Sequence, residues 1–162
     1  MKCAFYVKIS LMEKQLRIRV KSLAWIKDGG WLFVVKMADK VKSDWYYRAI
    51  GGSVEFGELA IDAVCREARE ELNAEIEVTG EPMILENLFT CDGEPGHEIV
   101  YLYPCRFVDQ RFYERRIVNL TEADGSHWDA LWVKIEDCLD GTLRLVPDPL
   151  LEWYRTHFDA MH

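Results

Sequence analysis

Eight residues, Gly51-Gly52-Ser53-Val54-Glu55-Phe56-Gly57-Glu58, lead without interruption into an acid-rich segment spanning 59–76, and this junction constrains the chain more than any other stretch. The glycines mark a turn where a backbone without Cβ can pass close to another group. The segment after it carries the period of a helix. At about 100° per residue, Ile61, Val64, Cys65, Ala68 and Leu72 gather on one side, the pattern of an amphipathic helix docked on a core. Glu67, Glu70 and Glu71 fall on another side. Glu67 stands beside Glu70 and Glu71 at i,i+3 and i,i+4, and like charges so placed cost a helix about 0.2–0.5 kcal/mol per pair. A hard divalent cation would offset that repulsion, because Mg²⁺ takes oxygen ligands from one or two carboxylates together with substrate phosphate.

The spacing resembles the Nudix box, G-x5-E-x7-R-E-U-x-E-E-x-G-U, in which U is apolar. The match holds at Gly52, Glu58, Arg66, Glu67, Glu70 and Glu71. With about 6–7% average usage for each residue type, six fixed positions coincide by chance on the order of 10⁻⁷ per starting point. Asn73 stands where the family has glycine, and asparagine is the residue after glycine most able to adopt the left-handed backbone that ends a helix. Ala49-Ile50 stand where the family often has proline.

Composition narrows the alternatives. A chain of 162 residues that is 49% hydrophobic and 12% aromatic suits one domain with a buried core, read as a single unit over 1–162 with a peripheral N-terminal extension at 1–11. The net charge of −8 argues against a general nucleic-acid or membrane binder, which would show a basic face. Five cysteines without C-x-x-C spacing suggest neither a disulfide framework nor a zinc site, so reduced thiols and a cytoplasmic location are expected. Lys8 interrupts the apolar run that begins at Cys3, which argues against a signal peptide, and no stretch is long enough to span a membrane.

Elsewhere, 17–26 and 31–37 read as strands joined by a hairpin turn at Asp28-Gly29-Gly30, 38–43 as a polar loop, and 45–48 as a short strand leading to the glycines. Arg48 there reads either as a phosphate contact or as a surface arginine beside aromatics. Further strands are expected at 75–78, 82–90 and 98–108, with a turn over 91–97. Ile99, Tyr101 and Tyr103 alternate with Val100, Leu102 and Pro104, so the last strand is apolar on both faces and suits a central position. His97 and Glu98 read either as a loop-end histidine and strand-edge carboxylate or as neighbours of a substrate. Segment 110–122 reads as an exposed connection, with Phe112 and Tyr113 as part of a substrate or partner surface. A strand at 130–133, a short helix at 135–139 ended by Asp140-Gly141, and a last helix capped by Asp148 complete the chain. Leu150, Leu151, Tyr154 and Phe158 share one face of that helix and read as core.

The resemblance implies an α/β fold, the Nudix-type α/β/α sandwich with a mixed, mainly antiparallel sheet. It also implies Mg²⁺-dependent hydrolysis, with Mn²⁺ as the other candidate ion, of the pyrophosphate bond in a nucleoside diphosphate linked to another moiety. By the same resemblance Glu67, Glu70 and Glu71 hold the metal together with the Gly52 carbonyl. Glu58 binds through water or fixes the loop, and Arg66 organises the carboxylates. The general base is Glu67 or an acid from a later loop, Glu122 ahead of Asp124. Arg48, Gly51, Gly52 and Glu98 form the substrate-binding set, and a homodimer is expected. The alternative is a Nudix domain that senses a nucleotide and regulates a partner; the intact acids and the absence of an effector domain favour the enzyme. A Ca²⁺ loop of the D-x-[DN]-x-[DN]-G kind is not found.

Overall fold

The computed structural model describes residues 16–39, 41, 43–121 and 127–157. The extension at 1–11, Glu122, Asp124 and Phe158 lie outside the described residues.

The hairpin expected at Asp28-Gly29-Gly30 is present between β1 (Arg19–Asp28) and β2 (Trp31–Asp39), Gly29 taking a left-handed φ of 57°. The two strands pair only beside the turn, Lys27 with Leu32 and Asp28 with Trp31. Beyond it each finds other neighbours. β1 lies between β4 (Ile50–Ser53), antiparallel, and β7 (Glu94–Phe107), parallel. β2 lies between β3 (Asp44–Arg48) and β9 (His127–Lys134), both antiparallel. The hairpin thus opens into two half-sheets that diverge from a common root. β5 (Ile76–Val78) and β6 (Met83–Cys91) extend the first half along β7. β8 (Val118–Thr121) pairs with β9, and β10 (Leu145–Val146) runs parallel to β3, in the second. Among the described residues the parallel pairings are β1–β7 and β3–β10, so the sheet is mixed and mainly antiparallel.

Strand periodicity sorts the core into two layers, since successive side chains leave a strand on opposite faces. Ala24 and Ile26 of β1, Phe33 and Val35 of β2, and Tyr103, Cys105 and Phe107 of β7 enter one cluster. Leu23 and Trp25, Leu32 and Val34, and Val100 and Leu102 enter the other. The first layer is covered by α1 (Ala60–Leu72) through Val64, Ala68 and Leu72. The second is covered by α2 (Ile135–Leu139) through Ile135 and Cys138, and by α3 (Asp148–His157) through Leu150 and Tyr154. This is the α/β/α sandwich, with β7 in the central position expected of a strand apolar on both faces. Burial of each large apolar side chain contributes about 1.5–3 kcal/mol. Phe33 adds edge-to-face contacts with Phe107 and Trp132, centroids 5.0 and 5.4 Å apart.

Five expectations are corrected. Ile61 is exposed rather than on the buried stripe, because ahead of Val64 it is Ala60 that packs against the core. The turn over 91–97 contracts to Asp92-Gly93, and β7 takes in Pro95 and Gly96. That strand extension is possible because Gly96 has no side chain: the Phe89 ring lies where its Cβ would point, 2.3 Å from the nearest ring atom. Segment 110–122 is not a plain connection, since it holds a 3₁₀ turn (Gln110–Glu114) and β8. Within that turn Phe112 and Tyr113 are turned inward, not offered to a partner. The Phe112 ring stacks on Phe107 at 4.4 Å, and the Phe107 N–H donates to the Tyr113 hydroxyl at 3.0 Å. The last helix takes Asp148 as its first residue, where the carboxylate complements the positive end of the helix dipole.

Candidate active site

The β3–β4 strands deliver the chain to the glycines, and α1 returns across them. Ser22 of β1 sets the approach. It is fully buried, its hydroxyl donates to the carbonyl of Ala60 at 2.6 Å, and its register partner on β4 is Gly52. The first residue of α1 is thereby tied to the strand beside the turn.

Each glycine is required for a different reason. Gly51 has a φ of 128°, and a Cβ on it would stand 2.2 Å from the Ser22 carbonyl oxygen. Gly52 needs no unusual φ, but a Cβ there would stand 2.1 Å from Oε1 of Glu67. The Glu67 carboxylate is therefore pressed onto the Gly52 backbone, and its side chain is only 15% exposed. Glu71, one helical turn on, is 9% exposed and accepts from the Gly51 N–H at 3.4 Å. Arg48 joins the two parts: Nη1 donates to the Gly51 carbonyl at 2.6 Å and Nη2 lies 3.7 Å from Glu71. Ala63, one turn before Glu67 on the same side of the helix, is fully buried. Glu67 and Glu71 are thus packed against the turn rather than solvated, while Glu70 stays exposed.

Arg66 holds the remaining acids. Its Nε and Nη2 donate to the two oxygens of Glu58 at 2.8 and 3.1 Å, a bidentate pair. Nη1 donates to Glu67 at 3.2 Å and Glu70 at 2.8 Å, and Nη2 also donates to the Ser53 carbonyl at 3.0 Å. The repulsion among the helix acids is thus offset in this structure by a guanidinium. Hydrogen bonding to Glu58, reinforced by Glu70 and Glu67, raises the Arg66 pKa above its already high ordinary value. Reciprocally, Arg66 and the Glu55 N–H hold the Glu58 carboxyl below the usual glutamate range. Glu70 is the most exposed of these acids at 60%.

A cleft of about 1030 Å³ lies between the diverging half-sheets, and Arg48, which donates to the Gly51 carbonyl, and Lys21, which donates to Ser53, connect its wall to the turn. Its wall includes Lys21, Arg48, Tyr46, Asn87, Phe89 and Glu98. Glu98 sits on this wall, paired with Arg19 at 2.9 Å, and among the described residues it shares no hydrogen bond with the box acids. His97 pairs with Glu86 at 2.9 Å. Burial, with Cys91 beside it, pushes the Tyr46 hydroxyl up to about 12. The structure brings Arg48, Gly51, Gly52, Glu58, Arg66, Glu67, Glu70 and Glu71 together and leaves Glu98 apart from them. Lys21 and Asn87 were not singled out from the sequence. The basic residues Arg17, Arg19 and Lys21 recur at every second position, the period that places them on one face of a strand, and this was the available signal for Lys21.

The model of the NUDIX domain matches residues 17–154. The chain belongs to the Nudix family. Its fold is shared with solved structures of low identity. The E. coli ORF135 protein is 23% identical with a TM-score of 0.57, the match covering 90% of this chain and 94% of that one. A NUDIX hydrolase from Nitrosomonas europaea is 17% identical at 0.59, covering 89% and 90%. A NUDIX-family hydrolase from Clostridium perfringens is 17% identical at 0.58, covering 91% and 100%. No curated protein matches in sequence. As a Nudix hydrolase the protein acts on phosphoric anhydride bonds, and the family generally uses divalent metal ions.

The residues suit such an ion on donor chemistry. All the acids of the turn and helix offer hard oxygen donors, and four carboxylates against two guanidiniums leave an excess of negative charge. The missing Cβ of Gly52 gives the Glu67 carboxylate its place against the turn. Among the described residues no three acidic, histidine or cysteine side chains already form a metal-sized cluster, which follows from Arg66 standing between Glu58, Glu67 and Glu70. No described helix is long and apolar enough to cross a membrane.

Proposed function

We propose that this Nudix hydrolase cleaves the pyrophosphate bond of a nucleoside diphosphate linked to a further group, with Mg²⁺ held by Glu67, Glu70, Glu71 and the carbonyl of Gly52. The observation that carries the reading is the inward turn of Glu67 and Glu71 onto the glycines, where both are mostly withdrawn from water. Glu67 is paired with Arg66 and Glu71 lies 3.7 Å from Arg48, but the four carboxylates of the turn and helix outnumber the two guanidiniums, and a substrate-bearing cation is a further partner of the right charge. When bound, the divalent ion supplies charge neutralisation on the phosphoryl oxygens and a lowered pKa for bound water.

The chain's own groups do the rest. Arg66 keeps Glu58 and Glu67 at fixed separation and ties both to the loop through Ser53. Arg48 braces the carbonyl of Gly51 and faces the cleft, where it can also meet phosphate oxygens. In the reaction the oxygen of water bonds to one phosphorus, the bridging P–O bond breaks with its electron pair leaving on the departing phosphate, and a base takes the water proton. Glu67 stands as the base supported by position; Glu122 is the other candidate. The functional unit is taken as one domain over 1–162, working in the cytoplasm, with Mn²⁺ able to replace Mg²⁺ and a second copy as its partner in a homodimer.

Incubation with Mg²⁺ and ADP-ribose, NADH, dinucleoside polyphosphates, sugar nucleotides or oxidised nucleoside triphosphates tests this. At least one of them is expected to release a nucleoside monophosphate or phosphate, with activity abolished by EDTA and restored by Mg²⁺ or Mn²⁺. A chain that binds one of these compounds and turns none over would contradict the reading.

A further inference from the structure

The register that brings Gly52 beside Ser22 places the next residue, Ser53, opposite Lys21, and Lys21 Nζ donates to Ser53 Oγ at 3.0 Å. Lys21 thus stands at the seam between the glycine turn and the cleft, whose wall it forms with Arg48 and Glu98. The neighbouring cations are engaged: Arg19 with Glu98, Arg48 with the Gly51 carbonyl and Glu71, Arg66 with three carboxylates. Among the described residues Lys21 makes no ion pair within 4.0 Å, and its one hydrogen-bond partner is a neutral hydroxyl.

We propose that Lys21 is a substrate-binding residue whose ammonium takes an oxygen of the substrate's diphosphate, fixing the molecule so that its diphosphate lies by the box turn and its remaining group lies in the cleft. This rests on the pyrophosphohydrolase reading above. An ammonium has three donors, and the serine uses one. Burial, with the charge of Arg48, lowers the Lys21 pKa from its ordinary value, while Glu98 and Glu67 act in the opposite sense. A partly desolvated cation without a counter-ion is a cost to the free protein that an arriving polyanion removes. Two donors remain for it. The strand geometry also explains why this lysine serves the cleft: on β7 its register partner is Val100, so its aliphatic stem continues the apolar face formed by Leu23, Val100 and Leu102 while its head reaches the turn.

The test measures calorimetric binding of α,β-methylene-ADP with Mg²⁺ to wild type, Lys21→Met, Lys21→Arg, Ser53→Ala and Lys27→Ala. Methionine preserves the packed stem, and melting curves confirm that each variant is folded. The loss of one charge-assisted hydrogen bond should weaken binding by at least about tenfold in Lys21→Met, with most of it recovered in Lys21→Arg. Ser53→Ala keeps the ammonium and should keep most of the affinity, and Lys27→Ala, at the far end of β1, should bind as wild type does. Wild-type affinity in Lys21→Met would overturn the inference. So would an equal loss in Ser53→Ala, which would make Lys21 a brace for the loop. If wild type hydrolyses a nucleotide while Lys21→Met binds normally, only this inference fails; if wild type neither hydrolyses nor binds, both readings fail.

Discussion

Two adjacent glycines respond to a side chain in opposite ways. At Gly51 an added Cβ meets backbone, the Ser22 carbonyl, at a φ of 128°. Neither can yield cheaply, so Gly51→Ala should cost roughly 1–3 kcal/mol from backbone strain alone, with overpacking in addition. At Gly52 the obstacle is the end of the Glu67 side chain, which can swing away. Gly52→Ala is therefore expected to lose less than about 1 kcal/mol of stability but at least about tenfold in Mg²⁺-dependent turnover, because it evicts a carboxylate on which the site depends. Denaturant melts beside initial rates check the contrast. A residue away from the site gives the pH dependence. Burial, with Cys65 nearby, pushes the Cys105 thiol up to about 12 from an ordinary 9.0. The folded state therefore keeps the proton through a range where the unfolded chain releases it, so this contribution is complete below pH 9 and is lost as pH rises toward 12. Cys105→Ala should show a shallower loss of stability over that window than wild type in denaturant melts. Equal slopes would contradict the assignment.

α1 shows how far local pattern reaches. Its end was legible: Asn73 has φ 50° and ψ 38°, its N–H bonds to the Arg69 carbonyl at 2.9 Å, and the Ala74 N–H bonds to the Ala68 carbonyl at 3.2 Å. The first of these bonds is the αL closure of a helix, with asparagine in the place glycine usually takes. Asn73→Gly should leave the melting temperature level or slightly higher, whereas Asn73→Val should cost about 1–2 kcal/mol, since a β-branched residue is forced into left-handed backbone. The stripe Val64, Ala68 and Leu72 was legible for the same reason, one helix carrying its own period. Ala63 was not, because its burial comes from the β4 turn lying against the acid side, a contact the helical wheel does not contain. The charged neighbours of Phe112 and Tyr113 made that segment read as surface, yet a 3₁₀ turn rotates both rings onto Phe107, and Trp132 Nε1 donates to the Phe112 carbonyl at 2.7 Å. Partners 5 and 20 residues away decide such a case.

At the scale of the molecule, the hairpin at Gly29-Gly30 could be read from its turn residues, but its opening into two half-sheets could not. That divergence depends on β4 and β7 flanking β1 while β3 and β9 take β2, pairings set by segments further along the chain. The cleft follows from the divergence, which is why Asn87 was silent in the sequence and Lys21 left only the alternation of basic residues, while the box was plain. The overall charge of −8 likewise concealed a cleft wall carrying Arg17, Arg19, Lys21, Arg48 and Arg144. The resulting arrangement puts an acidic helix on one side of the glycine turn and basic strand residues on the other, a division suited to a polyanion carried with a cation. Its most direct test is the rate of nucleotide release by Glu71→Gln at saturating Mg²⁺, on whichever compound the wild type hydrolyses. A fall of at least about 100-fold, with the melting temperature within a few degrees of wild type, is the predicted result. A Glu71→Gln enzyme that turns over at the wild-type rate would show that the helix acids do not hold the catalytic ion.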